Sequence, residues 1–315
     1  MKVFDCFTFF NELELLELRL ETYYDIVDCF VIVEADKTHA NIPKPFNFYE
    51  HRDKFKKYLP KIHYVMDKSV VSYSGSKDWS IENNQRNSIM KGLYDAEPDD
   101  LIMISDVDEF PDPAMLKRLI ESFTDKSKHV DIVAFYDTST YTKGKLIPFH
   151  CGIRIPTFLD MSPVGCQQKF YTYFFDLACV DLPWSGTVIG KFKHMTSPQA
   201  FRDMRISLPR IVDGGGWHFS SMGGIDKFLE KARSGTDFKQ ISAVDPRYLD
   251  KNFLLNAMLK GEYLLGGATF VPCDLSEIKL PALPAFLKKY PYFVRDKGLL
   301  KNYLTRSRIY GRRHE

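Results

Sequence analysis

The chain has 315 residues, with 43 Lys and Arg against 41 Asp and Glu, so its formal charge is only +2. That near balance excludes a nucleic-acid binder working through bulk charge, and equally a polyacidic tail protein. Hydrophobic residues make up 44% and charged residues 27%, ordinary globular usage for one elaborated α/β enzyme domain or two smaller ones. The first twenty residues carry Asp5, Glu12, Glu14 and Glu17, which leaves no uncharged stretch for a secretory leader. No apolar run reaches the roughly 18 residues a membrane span needs. The six cysteines lie far apart without a CxxC pair, so they read as reduced thiols rather than a zinc site, and the expected location is the cytoplasm.

Residues 2–10 are β-rich, and Leu13, Leu16, Leu20 and Tyr24 then repeat at helical spacing, with Asn11 as the expected cap. Residues 29–35 form a nearly continuous apolar run, the pattern of a parallel strand covered on both faces. A third strand is expected at 62–66, a helix from about 80 to 96, and a buried strand at 101–105. Asp112-Pro113 opens another helix, and 131–136 reads as a fifth strand. This alternation predicts an α/β fold, a Rossmann-like, mostly parallel sheet flanked by helices. Beyond residue 140 the pattern loosens into an irregular, acceptor-side subregion, with helical patterns at 198–206, 224–233 and 248–260. The expected organisation is one domain over 1–275, divided at about 140 into two halves. Residues 276–315 form an extension whose last ten residues hold four arginines; they read as a solvated tail or a peripheral membrane contact.

The sharpest chemical feature is Ser105-Asp106-Val107-Asp108-Glu109, at the end of a buried strand where open α/β sheets bind ligands. Three carboxylates in four positions repel one another unless a cation or strong donors neutralise them. A hard divalent ion, Mg²⁺ or Mn²⁺, bridging Asp106 and Asp108 to a diphosphate suits that pattern. A solvated turn is the plainer account of such a cluster. Glu34 and Asp36 close a second strand and are candidates for the ribose or base of a nucleotide. Gln85 and Arg86 open the helix before the carboxylates, Arg86 suited to a bidentate phosphate contact. In Gly214-Gly215-Gly216-Trp217-His218, His218 is a candidate third metal ligand and Trp217 a surface for a sugar ring, with the glycines allowing close approach of backbone to ligand.

Together these residues resemble glycosyltransferase family 17. The resemblance rests on Asp5-Cys6-Phe7 with Phe9-Phe10-Asn11-Glu12, Phe30 to Glu34 with Asp36-Lys37-Thr38, Glu82 with Gln85-Arg86, Ile104 to Glu109, and Gly216 to Ser220. It implies a glycosyltransferase-A-type fold, a UDP-sugar donor (UDP-N-acetylglucosamine), Mn²⁺ or Mg²⁺, and inversion at the anomeric carbon to a β-linkage on a glycan acceptor. It also makes Asp106 and Asp108 the metal- and donor-binding carboxylates, and 1–275 a catalytic domain with 1–140 as its nucleotide-sugar half and 141–275 as its acceptor half. The general base is left open among Asp213, Asp181 and Glu109. Family members in animals carry a membrane anchor, which this chain does not show, so a cytoplasmic or membrane-peripheral location is expected. Two other readings use the same residues: a haloacid-dehalogenase-like phosphatase with Asp106 as nucleophile, and a Ca²⁺-dependent carbohydrate-binding module.

Overall fold

Four apolar runs build the first half of the sheet. β1 (Val3–Phe9), β2 (Cys29–Ala35), β3 (Ile62–Asp67) and β4 (Leu101–Asp106) lie in the order β3-β2-β1-β4, and every neighbouring pair is parallel. β2 is buried along its whole length and β4 as far as Ser105, because helices cover both faces. This computed structural model describes residues 1–295 except 76, 137–146, 182–183, 212–213, 235–246, 248–249, 261 and 263–267. The basic tail, and the membrane contact expected of it, lie outside the described residues.

α1 (Leu13–Tyr23) follows β1 and buries Leu16 and Leu20 as its spacing predicts, whereas Leu13 and Tyr24 are only partly buried and Tyr23 and Arg19 are buried instead. Asn11 does not cap it: the N-cap position is Glu12, which makes no side-chain cap bond. The Glu12 carboxylate instead accepts from the amides of Phe10 (3.2 Å) and Asn11 (3.1 Å). α2 (Asn47–His51) is short, and the helix expected to run to residue 96 is α3 (Ser80–Asn87) continued by a 3₁₀ turn over Ser88–Gly92. After β5 (Glu109–Phe110), α4 (Pro113–Thr124) starts where its sequence says it should. Asp112 accepts from the amides of Ala114 and Met115, both at 2.8 Å, and Pro113 takes the first position, where no amide hydrogen is needed.

Beyond β4 the pairing becomes mixed. β6 (Asp131–Tyr136) and β7 (Ile147–Arg154) precede α5 (Ile155–Leu159), and β8 (Val164–Thr172), β9 (Leu177–Cys179) and β10 (Trp184–Lys191) follow. The sheet runs on from β4 through β10, β8 and β11 (Arg210–Ile211) to β6 and β7; along this path the β8–β11 pair is parallel and the others are antiparallel. The strand at 131–136 therefore forms as read, but it pairs antiparallel and is separated from β4 by three other strands. β10 takes the place beside β4 because Val188 and Ile189 alternate into the cores on the two faces of the sheet. β12 (Trp217–Ser220) joins β8 to β5, and β13 (Phe270–Pro272) pairs with β9.

One core, on the face of α1 and α4, contains Phe7, Leu16, Met103, Phe110 and Leu116, and the C-terminal Leu283, Phe286 and Phe293 pack into the same cluster. The opposite face packs Cys6, Val31 and Ile104 against Phe201 of α6 (Pro198–Asp203). A third cluster joins Phe170 and Phe174 to α7 (Ile225–Ser234) and the helix Lys251–Lys260. Among the described residues, Cys6, Cys29, Cys166 and Cys273 are free thiols.

Candidate functional site

The carboxyl ends of β1, β2 and β4 open on a cavity of about 350 Å³ lined by Thr8, Thr38, Asp106 and Asp108, among others. This is where parallel strands leave room for ligands, between the loops that carry the chain to alternate faces. Gln85 and Arg86 of α3, Trp184 of β10, His218 of β12 and Lys231 of α7 complete the wall. A second cavity of about 310 Å³ adjoins it and shares Trp79, Glu82, Arg86, Asp106 and Arg205.

The loop carrying the carboxylates is held from below by Arg19, fully buried. Its guanidinium donates to both oxygens of Asp5 (2.6 and 2.8 Å), to Ser105 Oγ (2.6 Å), and to the carbonyls of Asp106 (3.2 Å), Val107 (3.3 Å) and Glu109 (2.6 Å). One planar cation thus ties β1 to the turn after β4, a geometry that suits arginine's fixed fork of donors. Asp106 lies above this turn with 35% of its side chain open. One of its oxygens accepts from Arg86 (3.0 Å) and the other from Arg202 of α6 (3.1 Å). Burial pushes its carboxyl up, but Arg202, Arg86 and Arg205 more than offset that and hold it well below the usual carboxylate range. Asp108 is more enclosed; Lys231 donates to one oxygen at 2.8 Å, and His218 Nε2 lies 3.6 Å from the other. Burial again raises its carboxyl, and Lys231 and His218 pull it lower than an ordinary aspartate. The imidazole is sandwiched between Trp184, with centroids 4.2 Å apart, and Phe170, at 4.9 Å. Its buried Nδ1 has no hydrogen-bond partner among the described residues.

Asp106, Asp108 and His218 therefore meet at one cavity, as the metal expectation requires, but as arranged they do not fit an ion. Both oxygens of Asp106 are engaged by guanidinium groups, and Asp108 is paired with an ammonium. Among the described residues, no group of three His, Cys, Asp or Glu side chains is placed to hold a metal. The repulsion within the acidic cluster is relieved by the protein's own cations, brought from α3, α6 and α7.

Gln85 and Arg86 also line the cavity. Gln85 donates to the carbonyl of Val33 (3.0 Å) and pairs with His39 (3.0 Å), while Arg86 additionally binds Glu82 (2.9 Å) and Gln199 (2.6 Å). Several other expected site residues are elsewhere or already engaged. Glu34 is fully buried and accepts from Lys44, the amides of Asn47 and Phe48, and the Tyr64 hydroxyl, so it fixes the start of α2 rather than a ribose. Asp36 pairs with Lys37 at 3.2 Å and lines neither cavity. Trp217 is buried in the core on the far side of β12 and presents no face to a sugar. Glu109 is fully buried and accepts from Trp184 Nε1 (2.7 Å), Arg202 (2.5 Å) and the Asp106 amide (3.0 Å), which leaves it no place as a base. Asp181 accepts from the Thr269 amide at the edge of β9 and β13, outside both cavities. Asp213 lies outside the described residues. The glycines before Trp217 pack against protein, not ligand: a Cβ at Gly215 would sit 1.8 Å from the Gln167 carbonyl oxygen, and at Gly216 2.0 Å from that of Phe110.

Sequence reading missed Trp184, Arg202, Arg205 and Lys231. Each stands in an ordinary helical or strand pattern, and only the fold brings it within reach of residues roughly one hundred positions away. Arg19 was also missed, although an arginine on the apolar side of α1 was a visible irregularity.

Residues 1–135 match the profile of glycosyltransferase family 17. The β-1,4-mannosyl-glycoprotein 4-β-N-acetylglucosaminyltransferases of Homo sapiens and Rattus norvegicus are each 27% identical over 123 residues, covering 36% of this chain and 23% of theirs. The chain thus spans less than a quarter of the length of the curated relatives it matches. Among solved structures, a 4-diphosphocytidyl-2C-methyl-D-erythritol synthase from Anaerococcus prevotii aligns over 65% of this chain and 74% of its own at 12% identity, with a TM-score of 0.27, too low to carry an argument. The matched segment contains β1 to β4 and both cavity aspartates, whereas the block around His218 lies beyond it. Over residues 1–135 the resemblance drawn from the sequence blocks holds, and this segment is a glycosyltransferase family 17 match.

Proposed function

We propose that the protein is an inverting glycosyltransferase that moves N-acetylglucosamine from UDP-N-acetylglucosamine in β-linkage to a glycan acceptor. The observation that carries this reading is the cavity at the ends of β1, β2 and β4, walled by Asp106, Asp108 and Arg86 within the family-matched segment. Its volume of about 350 Å³ is in the range of small-molecule sites, and Trp184 offers a flat aromatic wall for a sugar. In the reaction, an acceptor hydroxyl oxygen bonds to the anomeric carbon as the bond from that carbon to the phosphate oxygen breaks. The electron pair leaves with UDP, and the hydroxyl proton passes to a base. What the chain must supply is positive charge around the departing diphosphate and a fixed approach for the acceptor. Arg205, on the wall, is suited to the first task.

The phosphatase reading needs a free nucleophile, and Asp106 has both oxygens on guanidinium groups, which weighs against it. The test is calorimetric titration of UDP and UDP-N-acetylglucosamine, followed by acceptor screening with a mass readout. Saturable binding and a product heavier by one N-acetylhexosamine are expected. Binding of neither ligand, or hydrolysis of phosphomonoesters without an acceptor, would refute the reading.

A further inference from the structure

Most cations that line the two cavities are already satisfied. Arg86 is held by Asp106, Glu82 and Gln199, Arg202 by Asp106, Glu109 and the Gly186 carbonyl, Lys231 by Asp108, and Lys44 by Glu34. Arg205 is different. It stands in the 3₁₀ turn after α6 and lines both cavities, with only 29% of its side chain exposed. Its nearest carboxylate oxygen, Glu109 Oε1, is 3.9 Å away, beyond hydrogen-bond reach, and already accepts from Trp184 and Arg202. Its guanidinium carbon lies 5.5 Å from the centroid of the Trp184 ring, a contact that takes up none of its N–H donors.

We propose that Arg205 is the binding residue for the diphosphate of a nucleotide donor, and that it takes the place a divalent ion was expected to hold. The assignment of the anion to a nucleoside diphosphate rests on the glycosyltransferase reading. An arginine with five N–H donors, partly removed from water and without a hydrogen-bond acceptor among the described residues, is an incomplete arrangement that an oxyanion completes. The planar fork matches two phosphate oxygens at once. Burial and the adjacent Arg202 cation also pull the Arg205 pKa below that of an ordinary arginine, so an arriving anion relieves a strained charge. Asp106 then has a second purpose. Placed between Arg86 and Arg202, it keeps two neighbouring guanidinium groups from repelling each other and holds the arginine cluster at the junction of the cavities.

The experiment is calorimetric titration of the full chain with UDP and with inorganic pyrophosphate, each in EDTA and in Mn²⁺. It is run on the wild type, Arg205→Lys, Arg205→Gln and Arg205→Ala, with a thermal melt of every variant. The expected result is binding of both ligands in EDTA, weakened about tenfold or more in Arg205→Gln and Arg205→Ala, with Arg205→Lys in between. UDP binding that requires Mn²⁺ and is unchanged in the Arg205 variants would overturn this inference and leave the glycosyltransferase reading standing. Pyrophosphate binding that depends on Arg205, without any binding of UDP or its sugars, would keep the anion site and overturn the transferase. Should Arg205→Ala melt early, the Gln and Lys variants carry the comparison, and equal affinity in wild type and Arg205→Gln would refute the assignment.

Discussion

Replacing Arg19 with Met tests whether the floor of the site is electrostatic. The substitution keeps most of the volume and removes a cation that is fully buried against Asp5. It leaves Asp5 as a buried, unpaired carboxylate, and three carbonyls of the 106–109 turn lose a donor. Removing one partner of a buried pair costs about 3–5 kcal/mol, and the orphaned carbonyls overlap with that cost rather than adding to it in full. At roughly 2–3 °C for each kcal/mol in a protein of this size, the melting temperature should fall by about 10 °C. Urea unfolding measures the free energy directly, and the double variant Asp5→Leu/Arg19→Met separates the two contributions. The double variant should be markedly more stable than Arg19→Met alone, because it buries no orphan charge. It should still bind nucleotide poorly, because nothing holds the turn under Asp106. A loss below about 1 kcal/mol in Arg19→Met, or a double variant no better than the single one, would show that packing and not charge supports the turn.

The other expectations follow from the same contacts. Glu34→Ala should cost about 3 kcal/mol, because Lys44 and the start of α2 lose a buried acceptor, while UDP affinity stays within about twofold; a loss confined to nucleotide binding would restore Glu34 to the ribose. Trp184→Ala removes the ring against His218 and the donor to Glu109, and a titration of UDP-N-acetylglucosamine against UDP should show the sugar's contribution lost while UDP alone binds nearly as before. Asp108→Asn takes the carboxylate from the Lys231 ammonium, so it should lower the melting temperature as well as transfer activity, and near-normal turnover would take Asp108 out of the site. The depressed carboxyls of Asp106 and Asp108 set the acid limit. Such a group contributes its full stabilisation above its unfolded pKa and loses it as pH falls toward the folded value, so unfolding free energy should be flat near neutrality and drop below about pH 4. A profile still flat at pH 2.5 would mean that these ion pairs contribute nothing.

What the sequence determined by itself is local. A nearly continuous apolar run such as 29–35, short and rich in β-branched residues, favours a strand buried on both faces, and Asp112-Pro113 favours a helix start, because neighbours within a few residues weigh most on both outcomes. Carboxylates directly after such a strand, at 106 and 108, are therefore placed at a ligand-binding edge without any knowledge of the rest. Tertiary structure decided everything that depends on partners. Trp217 reads as a sugar-stacking residue and Trp184 carries no such signal, yet Trp217 falls in the core and Trp184 on the cavity wall, because facing alternates every residue along a strand and only the fold says which side is which. Glu34 and Glu109 end as structural acceptors because amide, hydroxyl, indole and cationic donors meet them inside the fold. The charge of the acidic cluster was legible from the start. Which cations balance it was not, because Arg202 stands 96 residues from Asp106 and Lys231 stands 123 from Asp108, and only the sheet brings them together.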